Sequence, residues 1–599
     1  MNKYRYADYY NLTDTFDSLY KQSKDNKTFH RLMPIVASEQ NIRLAFRTIK
    51  TNKGSSTAGT DDLKIEDMKK MNVEEFIHII QEKFQDYKPG TVKRVYIPKP
   101  NGDKRPLGIP TITDRIIQQA IKQVLEPICE AKFHNHSYGF RPNRSTGHAI
   151  ARMNSLINLN GLHYVVDIDI KGFFDNVNHN KLMKQIYTLG IRDRKLLAII
   201  KAMLKAPIKG EGIPTKGTPQ GGILSPLLSN IVLNELDWWI SNQWETFPTR
   251  YNYSAVQPKI KAMKQTGLKE MYIVRYADDF KIFCRNYQDA KRSFEAIKKW
   301  LKERLKLDIS LEKSKIVNLK KNYSEYLGIE VKAIPRGNTR NGYIAKSNVR
   351  QKAKVKMIKE LKQQVIKIQK HTTGENVIHL NSMILGMQQY YKCATMVSKD
   401  FREIAFTVNK SMFTRFKRLA YHGKVDKLPP IFDKFYKDRD FRTWVIHRIP
   451  IYPIWGIKNQ PPMCFSQSIC DYTVEGRMKS SKALKNATYM EIIEYAKNYD
   501  KRETIQFNDN RISRASMCQM RCEITGERLS LENISCCRFL PKEFGGTDEY
   551  DNLRIIHKDM REIIQIKTIS KKMRKRIENP KILKKVNNYR KIRKLESII

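Results

Sequence analysis

The chain has 599 residues, too many for one hydrophobic core, so we expect several domains. Its formal net charge of +50 excludes an ordinary balanced surface and predicts a polyanionic partner, with nucleic acid as the default. Apolar residues make up 41% of the chain, enough for globular folding, but no run of about 20 of them predicts a membrane span.

Cysteine usage and the start of the chain indicate the compartment. The cysteine count of nine is odd, and four of these lie between residues 518 and 537, which favours a reducing compartment over a disulfide framework. No basic-then-apolar leader opens the chain, so no secretory signal is expected. We therefore expect a cytoplasmic protein. Its Lys-, Ile- and Asn-rich usage indicates an AT-rich genome, which favours a bacterium and leaves an organelle open, and association with the nucleoid is also left open.

The first predicted elements are helices, followed by a strand and a basic turn. Residues 1–85 have a mostly helical pattern, and VKRVYIP predicts a strand before a turn at 101–102. A helix is expected from about 113 to 131. Lys99 and Arg105 flank the turn, so both could face one triphosphate, which Arg grips with two bonds and Lys contacts as a point charge.

Acidic residues lie at the ends of predicted strands in the middle of the chain. In YVVDIDI, alternation places the apolar side chains on one face and Asp167 and Asp169 on the other. The stretch YIVRYADDFKIFC, residues 272–284, predicts two short strands with Asp278 and Asp279 at their tip. Taken alone, Asp169 could simply end its strand.

Three of these carboxylates together predict a metal site. Asp169, Asp278 and Asp279 would repel one another without cations, and Mg²⁺ takes such oxygen ligands together with substrate phosphates. Two Mg²⁺ ions about 4 Å apart could activate a primer 3′-hydroxyl and stabilise the leaving pyrophosphate. Asp167 and Asp175 are left outside this predicted site.

Further along the chain, a glycine-rich turn precedes a helix, and a basic helical region follows. In KGTPQGGILSPLL, the glycines after Gln220 would let the backbone approach a ligand closely. Residues 345–425 have a helical pattern, with apolar residues such as Val355, Leu361 and Val365 at three- and four-residue steps. Residues 426–510 are rich in proline and aromatic residues, which are typical of a small core.

Six motifs in a fixed order carry a family resemblance. RPLGIPT, SYGFRPNRS, DIKGFFDN, GTPQGGILSPLLSNI, RYADD and YLGI resemble those of reverse transcriptases, specifically the bacterial group II intron-encoded type, over roughly residues 30–425. The resemblance implies an RNA-directed DNA polymerase with an α+β right-hand fold and a helical thumb. It also implies dNTP substrates, a bound group II intron RNA, target DNA and a maturase role in splicing.

The same resemblance divides the chain. The implied domains are an N-terminal extension and fingers (1–85), polymerase fingers and palm (86–340), a thumb or maturase X domain (341–425), a DNA-binding domain (426–510), an endonuclease-like domain of the HNH class (511–565) and a basic tail (566–599).

Site residues are carried over by motif position. Phe174 matches the bulky residue under the sugar of the incoming nucleotide, where its ring would clash with a 2′-hydroxyl and favour dNTPs. The other matches are the catalytic metal ligands Asp169, Asp278 and Asp279, the triphosphate pair Lys99 and Arg105, and the nucleotide-pocket residue Gln220.

The C-terminal stretch resembles an HNH endonuclease whose catalytic residues have been replaced. PKEFGGTDEYDNL keeps the frame, with Asn552 in the place of the central asparagine. Cys537 and Arg538 stand where the family has two histidines, and arginine cannot be deprotonated to act as a base. Arg561 places a cation where a metal ligand is needed, and the spacing of His557 from the cysteines is poor for structural zinc. We predict that this domain no longer cuts DNA, and leave its DNA binding open.

Two alternatives remain. One is a splicing factor that kept the fold and lost polymerisation, which the three acids disfavour. The other is a retron-like or domesticated polymerase with another template, which the LNSMILGMQQYY helix and the nuclease remnant disfavour. Without a nuclease, the primer would come from elsewhere, for example a nascent strand at a replication fork.

Overall fold

The computed structural model describes residues 5–52, 54–98, 104–424, 429–436, 441–480 and 487–598. Over these ranges the fold is of the α+β kind, with many helices and small antiparallel sheets. No helix in the described ranges is long and apolar enough to cross a membrane.

The helices are, in chain order, α1 (Arg5–Tyr9), α2 (Thr13–Lys24), α3 (Met33–Val36), α4 (Glu39–Lys50), α5 (Ile65–Lys69), α6 (Val73–Gln85), α7 (Ile112–Glu130), α8 (Thr146–Asn158), α9 (Phe173–Asn176), α10 (His179–Thr188), α11 (Arg194–Leu204), α12 (Ser225–Ser241), α13 (Val256–Met263), α14 (Tyr287–Trp300), α15 (Gln351–Lys370), α16 (Gly374–Tyr391), α17 (Val397–Phe416), α18 (Pro430–Tyr436), α19 (Val474–Ser480), α20 (Ala487–Lys497), α21 (Ile505–Met517), α22 (Lys558–Ile563), α23 (Lys571–Lys575) and α24 (Pro580–Ile592).

The strands are β1 (Lys93–Pro98), β2 (Lys104–Ile109), β3 (Tyr164–Ile168), β4 (Met271–Tyr276), β5 (Asp279–Cys284), β6 (Lys315–Asn318), β7 (Ser324–Tyr326), β8 (Ile329–Pro335), β9 (Tyr343–Val349), β10 (Tyr421–Gly423), β11 (Thr443–Ile446), β12 (Ile449–Pro450), β13 (Ile534–Arg538) and β14 (Leu553–His557). They form sheets in the orders β1-β2, β4-β5-β3-β6, β7-β8-β9, β10-β11-β12 and β13-β14.

The chain forms two compact units, each built from segments that are not consecutive. The first contains residues 1–133, 172–232 and 467–599, and the second contains residues 134–171 and 233–466. The six-domain division derived from the sequence stays a prediction.

In the second unit, the sheet β4-β5-β3-β6 forms the core. Val165 and Val166 on β3 and Ile282 on β5 are buried, because both faces of these two central strands are covered, and Ile273 on the edge strand β4 is buried as well. Helix α14 packs against β3, β5 and β6, while α8 packs against β4. The hairpin predicted from residues 272–284 is confirmed as β4 and β5.

Three long helices of the second unit pack together, with α15 against both α16 and α17. The apolar stripe predicted for α15 is partly wrong. Val355 is 57% exposed, and Met357 takes the buried position in its turn. The predicted positions Leu361 and Val365 are buried, and the buried face continues to Ile368, so the stripe differs from the prediction only near the start of the helix.

In the first unit, the predicted helix near 113–131 is confirmed as α7, which packs against α2 and α4. The C-terminal helix α21 packs on α4 through a buried charge cluster. Asp509 accepts hydrogen bonds from Tyr10 at 2.6 Å and Arg47 at 2.7 Å, and it pairs with Lys50. Burial alone would raise the pKa of Asp509, but the charges of Arg47 and Lys50 hold it well below its usual value.

Candidate active site

The strand register brings the three predicted acids to one end of the β4-β5-β3-β6 sheet. Ile168, the last residue of β3, pairs with Phe280 of β5. Because β3 ends at Ile168 and β5 begins at Asp279, Asp169 and Asp279 lie at the same end of the sheet. Asp278 lies in the turn that joins β4 to β5.

The backbone of Asp169 is fixed by the loop before β6. Its N–H donates to the hydroxyl of Ser314 at 3.1 Å, and its carbonyl accepts from the Ser310 N–H at 2.8 Å. Its carboxylate lies 3.5 Å from the ammonium of Lys313, and 48% of the Asp169 side chain is exposed. The backbone is therefore anchored while the carboxylate stays open to solvent.

The turn that carries Asp278 has a strained backbone, and the SYGF motif packs against it. Ala277 has φ +58°, a left-handed conformation that costs a residue with a Cβ about 1 kcal/mol or more. Gly139, in the SYGF motif, lies so close that a Cβ there would overlap the backbone nitrogen of Ala277. The N–H of Tyr138 donates to the carbonyl of Arg275 at 2.8 Å, which ties the motif to β4.

We expect Gly139→Ala to lower polymerisation while leaving most of the fold intact. The added methyl group must push the Ala277 backbone aside, and overpacking of this kind costs about 1–3 kcal/mol. Primer-extension rates and chemical denaturation of the variant measure the two effects. Gly54→Ala is the control, because a Cβ there meets nothing within 4 Å. Equal activity of the two variants would contradict the close approach.

Arg275 secures the same turn from inside the core. Its side chain and that of Asp237 on α12 are both fully buried, and they form two hydrogen bonds of 2.8 and 2.6 Å. A third hydrogen bond, of 2.7 Å, runs from the guanidinium to the carbonyl of Ala277. The guanidinium thus joins helix, strand and turn at one point.

The alternation pattern predicted that Asp167 lies on a polar face of β3, and this prediction is wrong. Asp167 is buried and accepts from the ammonium of Lys281, its register partner on β5, at 2.6 Å. The hydroxyl of Ser324 also donates to it at 3.0 Å. Because β3 is central in its sheet, both of its faces are covered, and the polar residue there needs a buried partner.

Electrostatics at the acidic end of the sheet favour a bound cation. Protein atoms crowd Asp279 on one side while its other side meets solvent. This desolvation raises the pKa of Asp279 to about 6. The ammonium of Lys281 opposes the rise, and the carboxylates of Asp167, Asp278 and Asp169 add to it. A cation near these carboxylates would relieve that repulsion.

The donor set fits a hard divalent ion that is held jointly with substrate. Within the described part of the chain, no three His, Cys, Asp or Glu side chains are already gathered as a set of metal ligands. Mg²⁺ usually needs only one or two carboxylates, and takes its other oxygens from water and substrate phosphates. The carboxylates of Asp169, Asp278 and Asp279 supply oxygens of this kind.

Three of the residues predicted to bind the nucleotide, Phe174, Gln220 and Arg105, lie in the first unit. Phe174, half-buried on α9, accepts at its carbonyl from the Thr218 N–H at 2.7 Å. Two residues later, the carbonyl of Gln220 accepts from the Gly108 N–H of β2 at 2.6 Å. The loop is therefore attached to both α9 and β2.

Arg105 is exposed on that same strand, opposite Ile97. Gly221 has φ +113°, and a Cβ there would meet the Gly108 carbonyl oxygen at 2.5 Å, so this close approach requires glycine. Backbone hydrogen bonds of the 218–220 loop thus join α9, which carries Phe174, to β2, which carries Arg105. Lys99 lies outside the described residues.

The nuclease-like region, also in the first unit, is organised by arginines. Strands β13 and β14 pair, and Arg538 forms ion pairs with Glu503 and, at 2.6 Å, with Asp548. Arg561 donates to the hydroxyl of Ser535 at 3.0 Å. Both line a cavity of about 330 Å³.

Asn552 and His557, which were also predicted to belong to the degenerate nuclease site, make hydrogen bonds within the fold. Asn552 accepts from the N–H of Leu540 at 2.8 Å and donates to its carbonyl at 2.9 Å, closing the intervening loop. His557 is buried and caps α22 by accepting from the Asp559 N–H at 3.1 Å. Burial raises the pKa of the Cys537 thiol to about 11, so it stays protonated at neutral pH.

Comparison with known proteins supports the polymerase resemblance. Residues 97–331 match the family described as "Reverse transcriptase (RNA-dependent DNA polymerase)". Protein YkfC of Escherichia coli (strain K12) is 33% identical over 305 residues, 48% of this chain and 79% of that protein. Group II intron-encoded protein LtrA of Lactococcus lactis subsp. cremoris is 32% identical over 372 residues, 54% of this chain and 61% of LtrA.

A third relative extends the comparison to plants. Nuclear intron maturase 2, mitochondrial, of Arabidopsis thaliana is 28% identical over 177 residues, 22% of this chain and 24% of that protein. The chain thus spans about three fifths of LtrA and less of the plant maturase. The chain belongs to the reverse transcriptase family, and within it to the group II intron-encoded reverse transcriptases and maturases.

Proposed function

We propose that the chain copies a group II intron RNA into DNA and, as a maturase, promotes splicing of that same RNA. The observation that supports the polymerase assignment is that β3, which ends just before Asp169, pairs with β5, which begins at Asp279. Two Mg²⁺ ions held there would activate the primer 3′-hydroxyl and offset charge on the leaving pyrophosphate.

In this proposal the chain's own residues orient the incoming dNTP. Lys99 and Arg105 bind its triphosphate, and the amide of Gln220 contacts the nucleotide. The ring of Phe174 lies under the sugar and leaves no room for a 2′-hydroxyl. The sheet β4-β5-β3-β6 then serves as the palm, the β1–β2 hairpin as part of the fingers, and helices α15 to α17 as the thumb.

Phe174→Ala is expected to let the enzyme incorporate NTPs as well as dNTPs. A smaller side chain removes the clash with the 2′-hydroxyl and leaves the metal ligands untouched. Competition between a dNTP and the matching NTP in RNA-templated primer extension measures this selectivity. Phe173→Leu serves as the control, because Phe173 is the buried neighbour in the same helix. If Phe174→Ala still selected dNTPs over NTPs as wild type does, the proposed position of Phe174 under the sugar would be wrong.

The charge of the chain supports an extended nucleic-acid surface. The excess of +50 is spread along the sequence, and α15 alone carries seven lysines against one glutamate. A basic helical bundle of this type can hold an A-form duplex by its backbone. RNA that co-purifies with the protein should therefore be one structured species of intron type, and sequencing it tests the maturase half of the proposal. A different RNA species would favour a retron-like polymerase.

For the nuclease-like region, we propose loss of strand cleavage. Arg538 and Arg561 place cations at a cavity where hydrolysis needs a base and a metal, and Arg538 is already neutralised by Glu503 and Asp548. The target would then be bound but not cut, and the primer would come from another source.

Incubation of the protein with its DNA target and a divalent metal is expected to yield no cut product. Gel analysis of end-labelled DNA, with wild type beside Asn552→Ala and Asp278→Asn, measures this. Cleavage that Asn552→Ala abolishes and Asp278→Asn leaves intact would show that the nuclease is active.

A further inference from the structure

A large cavity of the second unit lies beside α17, and its described lining includes none of the predicted polymerase or nuclease residues. Its volume is about 620 Å³, within the range of about 300–1,000 Å³ typical of ligand pockets. One wall is α17, and the other is formed by the β10-β11-β12 sheet and the chain that follows it. The lining includes Phe413, Trp444, Tyr452 and Trp455.

The aromatic side chains of this cavity are unusually exposed. Phe406 and Phe413 are 65% and 64% exposed, although they lie two turns apart on one face of α17. Trp455 is 38% exposed, whereas Trp444 is buried and meets Phe413 edge-on with ring centres 6.1 Å apart. Trp444 therefore forms a buried base of the cavity, while the rings of Phe406, Phe413 and Trp455 are exposed to solvent. An exposed apolar patch of this kind typically marks a binding site.

The polar groups of the cavity are cationic. Lys410 lies over the ring of Phe406 at 4.3 Å, between the two exposed phenylalanines along the helix. Arg442 and His422 also line the cavity. No carboxylate occurs among its described lining residues, and no ion pair among the described residues includes Lys410 or Arg442.

This combination selects one kind of occupant. An apolar peptide or lipid would use the rings but leave the cations unpaired and desolvated. A paired duplex would satisfy the cations but could not insert a base between the rings. An unpaired nucleotide does both, since its base stacks on an aromatic ring and its phosphate meets a cation. RNA offers such nucleotides in loops and bulges, where proteins commonly stack them on Phe, Tyr or Trp.

We propose that the cavity beside α17 binds an unpaired nucleotide of the RNA, its base stacked on Phe413 or Phe406 and its phosphate facing Lys410 and Arg442. The RNA assignment rests on the proposed function. This site would give the protein a way to detect single-stranded RNA that is independent of the polymerase carboxylates.

The test uses the full-length protein and a short single-stranded RNA that carries one fluorescent 2-aminopurine. We expect Phe406→Ala/Phe413→Ala to weaken its binding by about 5- to 100-fold and to abolish quenching of the 2-aminopurine. Lys410→Gln should lower the slope of log K against log salt by about 0.7. The matched controls are Tyr251→Ala, an exposed ring outside the cavity, and Lys417→Gln at the C-cap of the same helix.

Three comparisons make the result decisive. The same RNA in duplex form should bind the double variant and wild type equally, which also shows that the variant is folded. Equal binding of the single strand by wild type and double variant would overturn the proposal, and would point to a protein partner for the exposed rings. Ring-dependent binding of single-stranded DNA with equal affinity would overturn the RNA assignment.

Primer extension by the double variant separates this site from the proposed polymerase. Wild-type extension rates with weakened single-strand binding support the cavity as an independent site. Ring-dependent RNA binding by a wild-type protein that extends no primer would keep the cavity and reject the polymerase proposal.

Discussion

Asp169→Asn is expected to reduce dNTP addition about 10³-fold while leaving stability unchanged. Asparagine keeps the shape of the side chain and removes a negative ligand that supports a divalent ion, an effect worth several kcal/mol in the transition state. The side chain is half-exposed, and its contact with Lys313 is an exposed ion pair of about 0–1 kcal/mol. Single-turnover primer extension and chemical denaturation measure the two quantities.

Asp167, two residues earlier on the same chain segment, is the matched control. Asp167→Asn leaves the ammonium of Lys281 buried without its carboxylate, which is expected to lower the free energy of unfolding by about 3 kcal/mol. The folded fraction should still extend primers, because Asp167 is not among the proposed ligands. If Asp167→Asn lost activity and Asp169→Asn lost stability, the assignment of the two acids would be reversed.

Arg275→Met is expected to lower both stability and activity. It leaves the buried carboxylate of Asp237 unpaired, at a cost of about 3–5 kcal/mol, and removes the hydrogen bond to the carbonyl of Ala277. Adding Asp237→Leu should recover most of the stability, since replacing a whole buried pair with apolar residues is often neutral. Activity should stay low in the double variant, because the hydrogen bond from the guanidinium to the carbonyl of Ala277 is still missing.

Thermal or chemical denaturation and primer extension, run on the two single variants and the double variant, separate these effects. Arg275→Lys provides a further comparison, since it keeps the charge but loses the two-pronged geometry. Full activity in the stable double variant would mean that the ion pair supports the fold alone and does not position the turn.

The sequence was informative where local pattern and motif order act together. Alternation and the turn at Ala277 predicted β4 and β5, and the apolar periodicity predicted α7. The joint role of Asp169, Asp278 and Asp279 stays a prediction from motif order, and the register of β3 with β5 is consistent with it. Sequence order carries this information because each motif occupies a strand end or a turn.

The supporting contacts could not be predicted in the same way. The pairs Arg275–Asp237 and Asp167–Lys281 join residues 38 and 114 positions apart, and they depend on how helix and strands pack. A signal was present, since Arg275 and Lys281 are single cations within apolar strands and such residues need buried partners. The exposure of Trp455 beside a buried Trp444 likewise depends on tertiary packing.

The most direct measurement is dNTP incorporation by the wild-type protein on an RNA template with a DNA primer and Mg²⁺, beside Asp278→Asn. The account predicts extension by wild type, loss of extension in the variant, and equal binding of the template by both. A folded, RNA-bound wild-type protein that adds no nucleotide would contradict it and favour a splicing factor without polymerase activity.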